Sequence, residues 1–139
     1  MRIAVIDGQG GGIGSAVIRR LKEVYEERVE IWALGTNAIA TAAMMKARAN
    51  RGATGENAVI RSVERVDCII GTISVVLAHA MMGEMTPGMA GAIAASRAHK
   101  ILLPLTQENL TVVGVQRDHL PLLIDQVIPL LDKELDRHV

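Results

Sequence analysis

The sequence predicts a three-layer α/β fold built on a doubly wound, mainly parallel sheet. Three observations predict it. Short apolar runs alternate with amphipathic helical stretches from one end to the other, and glycines sit where strands hand over to helices. No linker, repeat or low-complexity stretch divides the chain, so its 139 residues (1–139) are expected to form a single domain. Half of the residues are hydrophobic, enough for a sizeable core. That core is aliphatic in kind, with no Phe, one Trp and one Tyr but seven Met.

Ile3 to Ile6 reads as a buried strand, continuous in apolar character rather than alternating. A helix follows, with Ile13, Ala16, Val17, Leu21 and Val24 on one stripe. Arg19, Arg20, Lys22, Glu23 and Glu26 are expected to face outward. Val29 to Leu34 is a second strand stopped by Gly35, and Thr36 or Asn37 caps an alanine-rich helix running to about Ala49. Gly52 to Thr54 reads as a very short third strand, and a helix starting near Gly55 carries Val59, Ile60 and Val63. Asp67 to Gly71 is a fourth strand, followed by an apolar helical segment from Val75 to Met82 that Gly83-Glu84-Met85 breaks. Thr86 then caps a new helix with Pro87 at its first position, where the missing N–H costs nothing. Ile101 to Leu105 and Leu110 to Val115 are the last two strands. The final helix has Leu120, Leu123, Ile124, Val127, Ile128, Leu131 and Leu135 on one stripe, with Pro129 expected to kink or split it. Val5, Ile6, Ile69, Ile70, Leu102 and Val113 should be buried in the sheet.

Composition argues against whole classes of function. Fifteen basic and 15 acidic residues leave no net charge, so the basic footprint of a nucleic-acid binder is missing. Aromatic platforms for single strands are missing too. The apolar run from Ile3 ends at Asp7, too soon for a signal peptide. The stretch from Ile73 to Met82, broken by Ser74 and His79, is too short for a membrane span. Cys68 has no partner for an internal disulfide and reads as a small core residue, which suits a reducing cytoplasm. No cluster of Cys, His or carboxylates has metal-ligand spacing, so no metal is expected. His99, His119 and His138 read as surface or loop residues.

The chemistry is concentrated at Gly8-Gln9-Gly10-Gly11-Gly12-Ile13-Gly14, between the first strand and the first helix. In a parallel sheet the strand ends and helix N-termini share one edge, where ligands bind. Glycines there allow positive φ and let backbone N–H groups approach a phosphate, to which the helix dipole adds a modest attraction. This is a Rossmann-like opening. The strict G-x-G-x-x-G spacing does not register, because Ile13 stands at its third glycine. Gly8-x-x-x-Gly12-Ile13-Gly14 does register, and resembles the G-x-x-x-G-I-G loop of short-chain dehydrogenases. Their Tyr-x-x-x-Lys pair is absent, the sole tyrosine being Tyr25 on the first helix, which argues against their reaction. A merely tight turn between strand and helix is the competing reading of the loop.

The identity of the nucleotide is open at this point. NAD sites usually place an acid at the end of the second strand to hold the adenosine ribose. That point reads Leu34-Gly35-Thr36-Asn37, and no acid occurs from Ile31 to Gly55. No arginine for a 2′-phosphate stands there either, Arg48 and Arg51 being the nearest. Thr36 and Asn37 either bind ribose or phosphate or serve the next helix as caps. Thr54, Glu56 and Asn57 form a further helix entry at the same edge, with Glu56 as ligand acceptor, general base or helix-terminal acid. Thr72 or Ser74 follows the fourth strand, as ligand group or cap. His79 is an acid/base candidate or a packed residue, and Glu84 is within possible reach of it. Thr106, Gln107, Glu108 and Asn109 follow the fifth strand and are placed to line the same pocket.

Three stretches together resemble a family of small bacterial proteins known as domain of unknown function three-eight-four-two. They are Ile3 to Gly14, Ala33-Leu34-Gly35-Thr36-Asn37-Ala38 and Gly52 to Ala58, with Ala4 to Gly14 the most specific part. The resemblance continues through Glu84-Met85-Thr86-Pro87 and Lys100 to Leu105. It implies a stand-alone Rossmann-like domain and supplies no reaction.

The expected function is a small nucleotide- or dinucleotide-binding protein of NAD(P) type, acting as a binding or regulatory module. The cofactor-binding candidates are Gly8, Gln9, Gly10, Gly11, Gly12, Ile13, Gly14, Thr36, Asn37, Thr54, Glu56, Asn57 and Thr72, for NAD or NADP. The alternative is a minimal oxidoreductase whose active site is completed at a homodimer interface, with Ile73 to Met89 and Leu120 to Leu135 supplying the contact. A third reading is a sugar-phosphate or mononucleotide enzyme using Glu56 or His79. In every reading the partner is a phosphate-bearing small molecule, and a homo-oligomer is expected.

Overall fold

The computed structural model describes residues 1–116 and 118–138. Five strands form one parallel sheet: β1 (Arg2–Asp7), β2 (Glu30–Gly35), β3 (Arg51–Thr54), β4 (Cys68–Thr72) and β5 (His99–Leu103). Their spatial order is β3-β2-β1-β4-β5. The helices are α1 (Gly12–Tyr25), α2 (Ala38–Lys46), α3 (Glu56–Ser62), α4 (Pro87–Ala95) and α5 (Leu120–Arg137). Two single 3₁₀ turns, Glu26–Arg28 and Ile73–Val76, complete the regular structure of the described residues.

Successive residues of a strand face opposite sides of its sheet, so a strand covered on both sides must be apolar at every position. The inner strands show this directly. Ile3, Val5, Ile31, Ala33, Cys68 and Ile70 join a core with residues of α1, α2 and α5, including Leu21, Met44 and Leu131. Ala4, Ile6, Trp32, Leu34 and Ile69 join a second core on the other side, with Val59 of α3 and Met89 and Ile93 of α4. The chain thus winds one way from β1 through α1, β2, α2 and β3. It then crosses to the opposite side of the sheet for α3. β1 and β4 lie side by side at this reversal, and their carboxyl ends open the crevice that such folds use for ligands.

The third strand is present as an edge strand, and Thr86 caps α4 by accepting from the Met89 amide at 3.1 Å. Several expectations are corrected. Lys22 does not face the solvent: it is buried, its Nζ donating to Asn50 Oδ1 at 3.0 Å and lying 3.7 Å from Glu27 Oε1. The second helix stops at Lys46, because Arg48 takes a φ of +79° that no right-handed helix accommodates.

Val75 to Met82 is not helical beyond its 3₁₀ turn. His79, Met81 and Met82 adopt φ of +70°, +59° and +57°, which folds the segment back over the sheet edge and buries Ala80 and Met85. Leu110 to Val115 is not a strand. Among the described residues β5 has no further strand beside it, and Val113 is 96% exposed. Leu102 is only half-buried, since it lies on that edge strand. α5 is one unbroken helix through Pro129. The proline ring is exposed, while Leu123, Ile124, Val127 and Leu131 on both sides of it pack into the core.

Candidate ligand site at the sheet edge

Where β1 and β4 part, a cavity of about 300 Å³ opens, bordered by Asp7 at the end of β1 and by Gln9 and Ile13 of the glycine loop. Thr72 and Ser74 close it from β4, Met81 from the folded-back segment, and Leu105, Thr106, Gln107 and Glu108 from the chain after β5. Ser74 Oγ donates to Thr106 Oγ1 at 2.8 Å across this crevice. The Met81 amide donates to Glu108 Oε1 at 3.3 Å, which ties the folded-back segment to the same rim.

The glycines of the loop divide by what requires them. Gly11, the residue before α1, sits at φ +73°, and a Cβ there would lie 2.8 Å from the Ala40 carbonyl oxygen. Cβ atoms at Gly8 and Gly14 would meet Met81 Sδ at 2.5 Å and Met44 Sδ at 2.6 Å. Gly10 and Gly12 are different. A Cβ at either would have nothing within 4 Å, and neither has a left-handed φ.

Two carboxylates hold the loop. Asp7, buried at the end of β1, accepts the Gly8 amide on Oδ1 at 2.8 Å and the Gly14 amide on Oδ2 at 2.7 Å. Glu84, from the folded-back segment, accepts on Oε1 from the Gln9 amide (2.8 Å), Thr36 Oγ1 (2.7 Å) and Asn37 Nδ2 (2.8 Å). Burial pushes the Asp7 carboxyl above its ordinary range, against the two amide bonds that pull it down. For Glu84 burial also acts upward, but its three donors outweigh it and its pKa is lowered. No site role was expected of Asp7, although an acid at a strand end directly before a glycine turn is a signal for it. The sequence alone relates Glu84 to His79, whereas the structure places it on Gln9, Thr36 and Asn37.

The sequence model of domain of unknown function DUF3842 matches residues 2–136. The chain belongs to that family. No curated protein matches the sequence. A solved structure with a similar fold is a dodecameric FMN-dependent UbiX-like decarboxylase from Escherichia coli O157:H7. It is 13% identical, the match covering 99% of this chain and 94% of that one at a TM-score of 0.42. At that level nothing about ligand or assembly transfers.

In this DUF3842 chain the other candidate residues separate into two groups. Asn37 is a cap in fact: its Oδ1 accepts from the Ala40 amide at 2.8 Å, while its Nδ2 reaches Glu84 and the Gln9 carbonyl. Thr36 joins the same cluster, and Thr72 lines the cavity. Thr54 does not reach it, because its hydroxyl donates to Thr41 Oγ1 at 2.8 Å and so fastens β3 to α2. Glu56 and Asn57 are exposed on the first turn of α3, where the Glu56 carboxylate lies against Gly88 of α4. His79 is exposed and off the cavity rim, its amide donating to the Met85 carbonyl at 2.7 Å. Cys68 is enclosed in the core, where burial and then the Glu134 charge push its thiol up to about 12.

Among the described residues no group of three or more His, Cys, Asp or Glu is placed to hold a metal ion. No helix among them is long and apolar enough to cross a membrane.

Proposed function

We propose that the chain, residues 1–139, is a single nucleotide-binding domain of the cytoplasm that serves as a binding or regulatory module. The ligand is a nucleotide or dinucleotide of NAD(P) type seated at the β1–β4 crevice, with phosphate on the amides of Gly10, Gly12 and Ile13. The observation that carries this reading is the open pair of glycines. Gly loses more backbone freedom on folding than Ala, a cost of roughly 0.5–1 kcal/mol in a helix interior. At Gly12, the first residue of α1, neither backbone angle nor packing calls for that cost. A bare backbone facing open space beside a cavity suits the close approach of something outside the chain, and helix N-termini favour anions.

Calorimetric titration with NAD, NADP, ATP and AMP tests this. At least one should bind, and Gly12→Ala should weaken it by about 1–3 kcal/mol, the worth of one or two charge-assisted hydrogen bonds. Because a Cβ at Gly12 clashes with nothing, the variant should unfold at the same temperature as the parent or slightly higher. A parent that binds none of the four, and retains no ligand after gentle purification, would overturn the reading.

A second reading, a minimal oxidoreductase completed by a second copy, is favoured by one observation. Val112 and Val115 line a second hollow that shares Thr106 with the cavity, and with Val113 between them they are 40%, 42% and 96% exposed, an apolar surface. Sedimentation at micromolar concentration should then show a dimer. A 14.9 kDa species alone would exclude this second reading.

A further inference from the structure

We propose that Glu84 is the acceptor for the ribose hydroxyls of the ligand, so that the site selects a nucleotide with a free 2′-hydroxyl over a 2′-phosphorylated one. This rests on the reading that the crevice binds a nucleotide. Dinucleotide sites place an acid at the end of the second strand, and the segment from Ile31 to Gly55 supplies none. The structure brings one there from elsewhere. Glu84 reaches across from the chain after β4 and docks between the exits of β1 and β2, on the Gln9 amide and on Thr36 and Asn37.

The two carboxylate oxygens are unequal. Oε1 takes all three of these bonds, whereas Oε2 receives none among the described residues and is not a buried orphan. An ionised oxygen held in fixed orientation with free lone pairs suits the donors of a vicinal diol and repels a phosphate dianion. Neither of the two nearest arginines in the sequence stands there to offset that repulsion: Arg48 lines a hollow with Lys22, Glu26 and Asn50. Arg51, the other, is engaged with Glu30 at 3.4 Å and lies 5.8 Å from the centroid of the Trp32 ring.

Glu84→Gln is the direct test. Three donors surround the inner oxygen, so the glutamine must keep its carbonyl inward and turn its NH₂ to the place of Oε2. The fold contacts survive while the outward acceptor becomes a donor. NAD binding should weaken about tenfold, with NADP unchanged or tighter, and the thermal midpoint at neutral pH should fall only by the small share that the Glu84 charge supplies. Independently of any variant, the parent should bind the adenosine 2′-deoxy analogue of NAD about tenfold more weakly than NAD itself.

An unchanged NAD-to-NADP preference in Glu84→Gln, or tighter binding of both, would overturn the ribose role and leave the nucleotide reading standing. Equal binding of the deoxy analogue by the parent would do the same. A parent that binds no nucleotide would overturn both.

Discussion

Asp7 and Glu84 present their carboxylates to successive amides of one loop, Asp7 Oδ1 to Gly8 and Glu84 Oε1 to Gln9, both at 2.8 Å. Their titrations are displaced in opposite directions. Asp7 is raised above 3.8 by burial, with the Glu84 charge adding to it, and Glu84 is lowered below 4.5 by its donors in spite of burial.

This yields a pH dependence of definite sign. Glu84 has a folded pKa below its unfolded one, so its share of stability is complete above 4.5 and is lost as pH falls through the folded value. Asp7 has a folded pKa above its unfolded one, so its share is complete below 3.8 and is lost as pH rises through the folded value. Thermal unfolding over roughly pH 3 to 7 should show a shallower acid limb in Glu84→Gln than in the parent. An identical limb would mean that Glu84 carries none of the acid sensitivity.

Asp7→Asn should destabilise the fold without changing its shape. The two oxygens of Asp7 serve two different amides, Gly8 and Gly14. A carboxamide serves one and turns its NH₂ on the other, leaving a buried donor unsatisfied at about 1–3 kcal/mol. Urea denaturation should show the lower midpoint with an unchanged slope.

Gly11→Ala and Gly12→Ala, neighbours in sequence, should part company in stability. At Gly11 the alanine meets both a φ of +73° and the Ala40 backbone at 2.8 Å, while at Gly12 it meets open space. A strained left-handed position alone costs about 1–3 kcal/mol, and the clash adds to it. Gly11→Ala should therefore unfold several degrees below the parent, and Gly12→Ala should not.

Much of this was legible because it is local. Ile3 to Ile6 announces a doubly covered strand by its unbroken apolar character, and Thr86-Pro87 announces a helix start by capping chemistry. What failed was non-local. Leu110 to Val115 has the β-branched composition of a strand, but a strand needs a neighbour, and among the described residues none lies beyond β5. Lys22 sits at an outward position of α1 when that helix is taken alone, yet it is buried with its ammonium on Asn50, beyond α2, and 3.7 Å from Glu27. Glu84 meets Thr36 across a separation of 48 residues, and no spacing rule links them. The glycine turn from β1 into α1 was legible, and Asp7 stands directly before it in the sequence, whereas the bond from its loop to Glu84 is visible only in three dimensions.

Cys68 should be inert until the protein unfolds. Its thiol is enclosed, and with a pKa pushed up to about 12 it carries almost no thiolate at neutral pH. Alkylation by iodoacetamide should proceed at the rate of global opening, and accelerate in step with denaturant. The same shift has an alkaline sign. The raised pKa gives stability that is complete below 9.0 and lost as pH rises towards about 12.

The strand order also constrains how the chain is made. β1 lies at the centre of the sheet, between β2 and β4, yet it is synthesised before either of them. β2 follows it closely, but the opposite edge of β1 stays open until Cys68–Thr72 has left the ribosome. Throughout that interval the nascent chain carries Ile3 to Ile6 with one ladder of backbone groups unpaired and one apolar face uncovered. Chains arrested between Thr54 and Asp67 should therefore be the species that chaperones hold and that aggregate most readily.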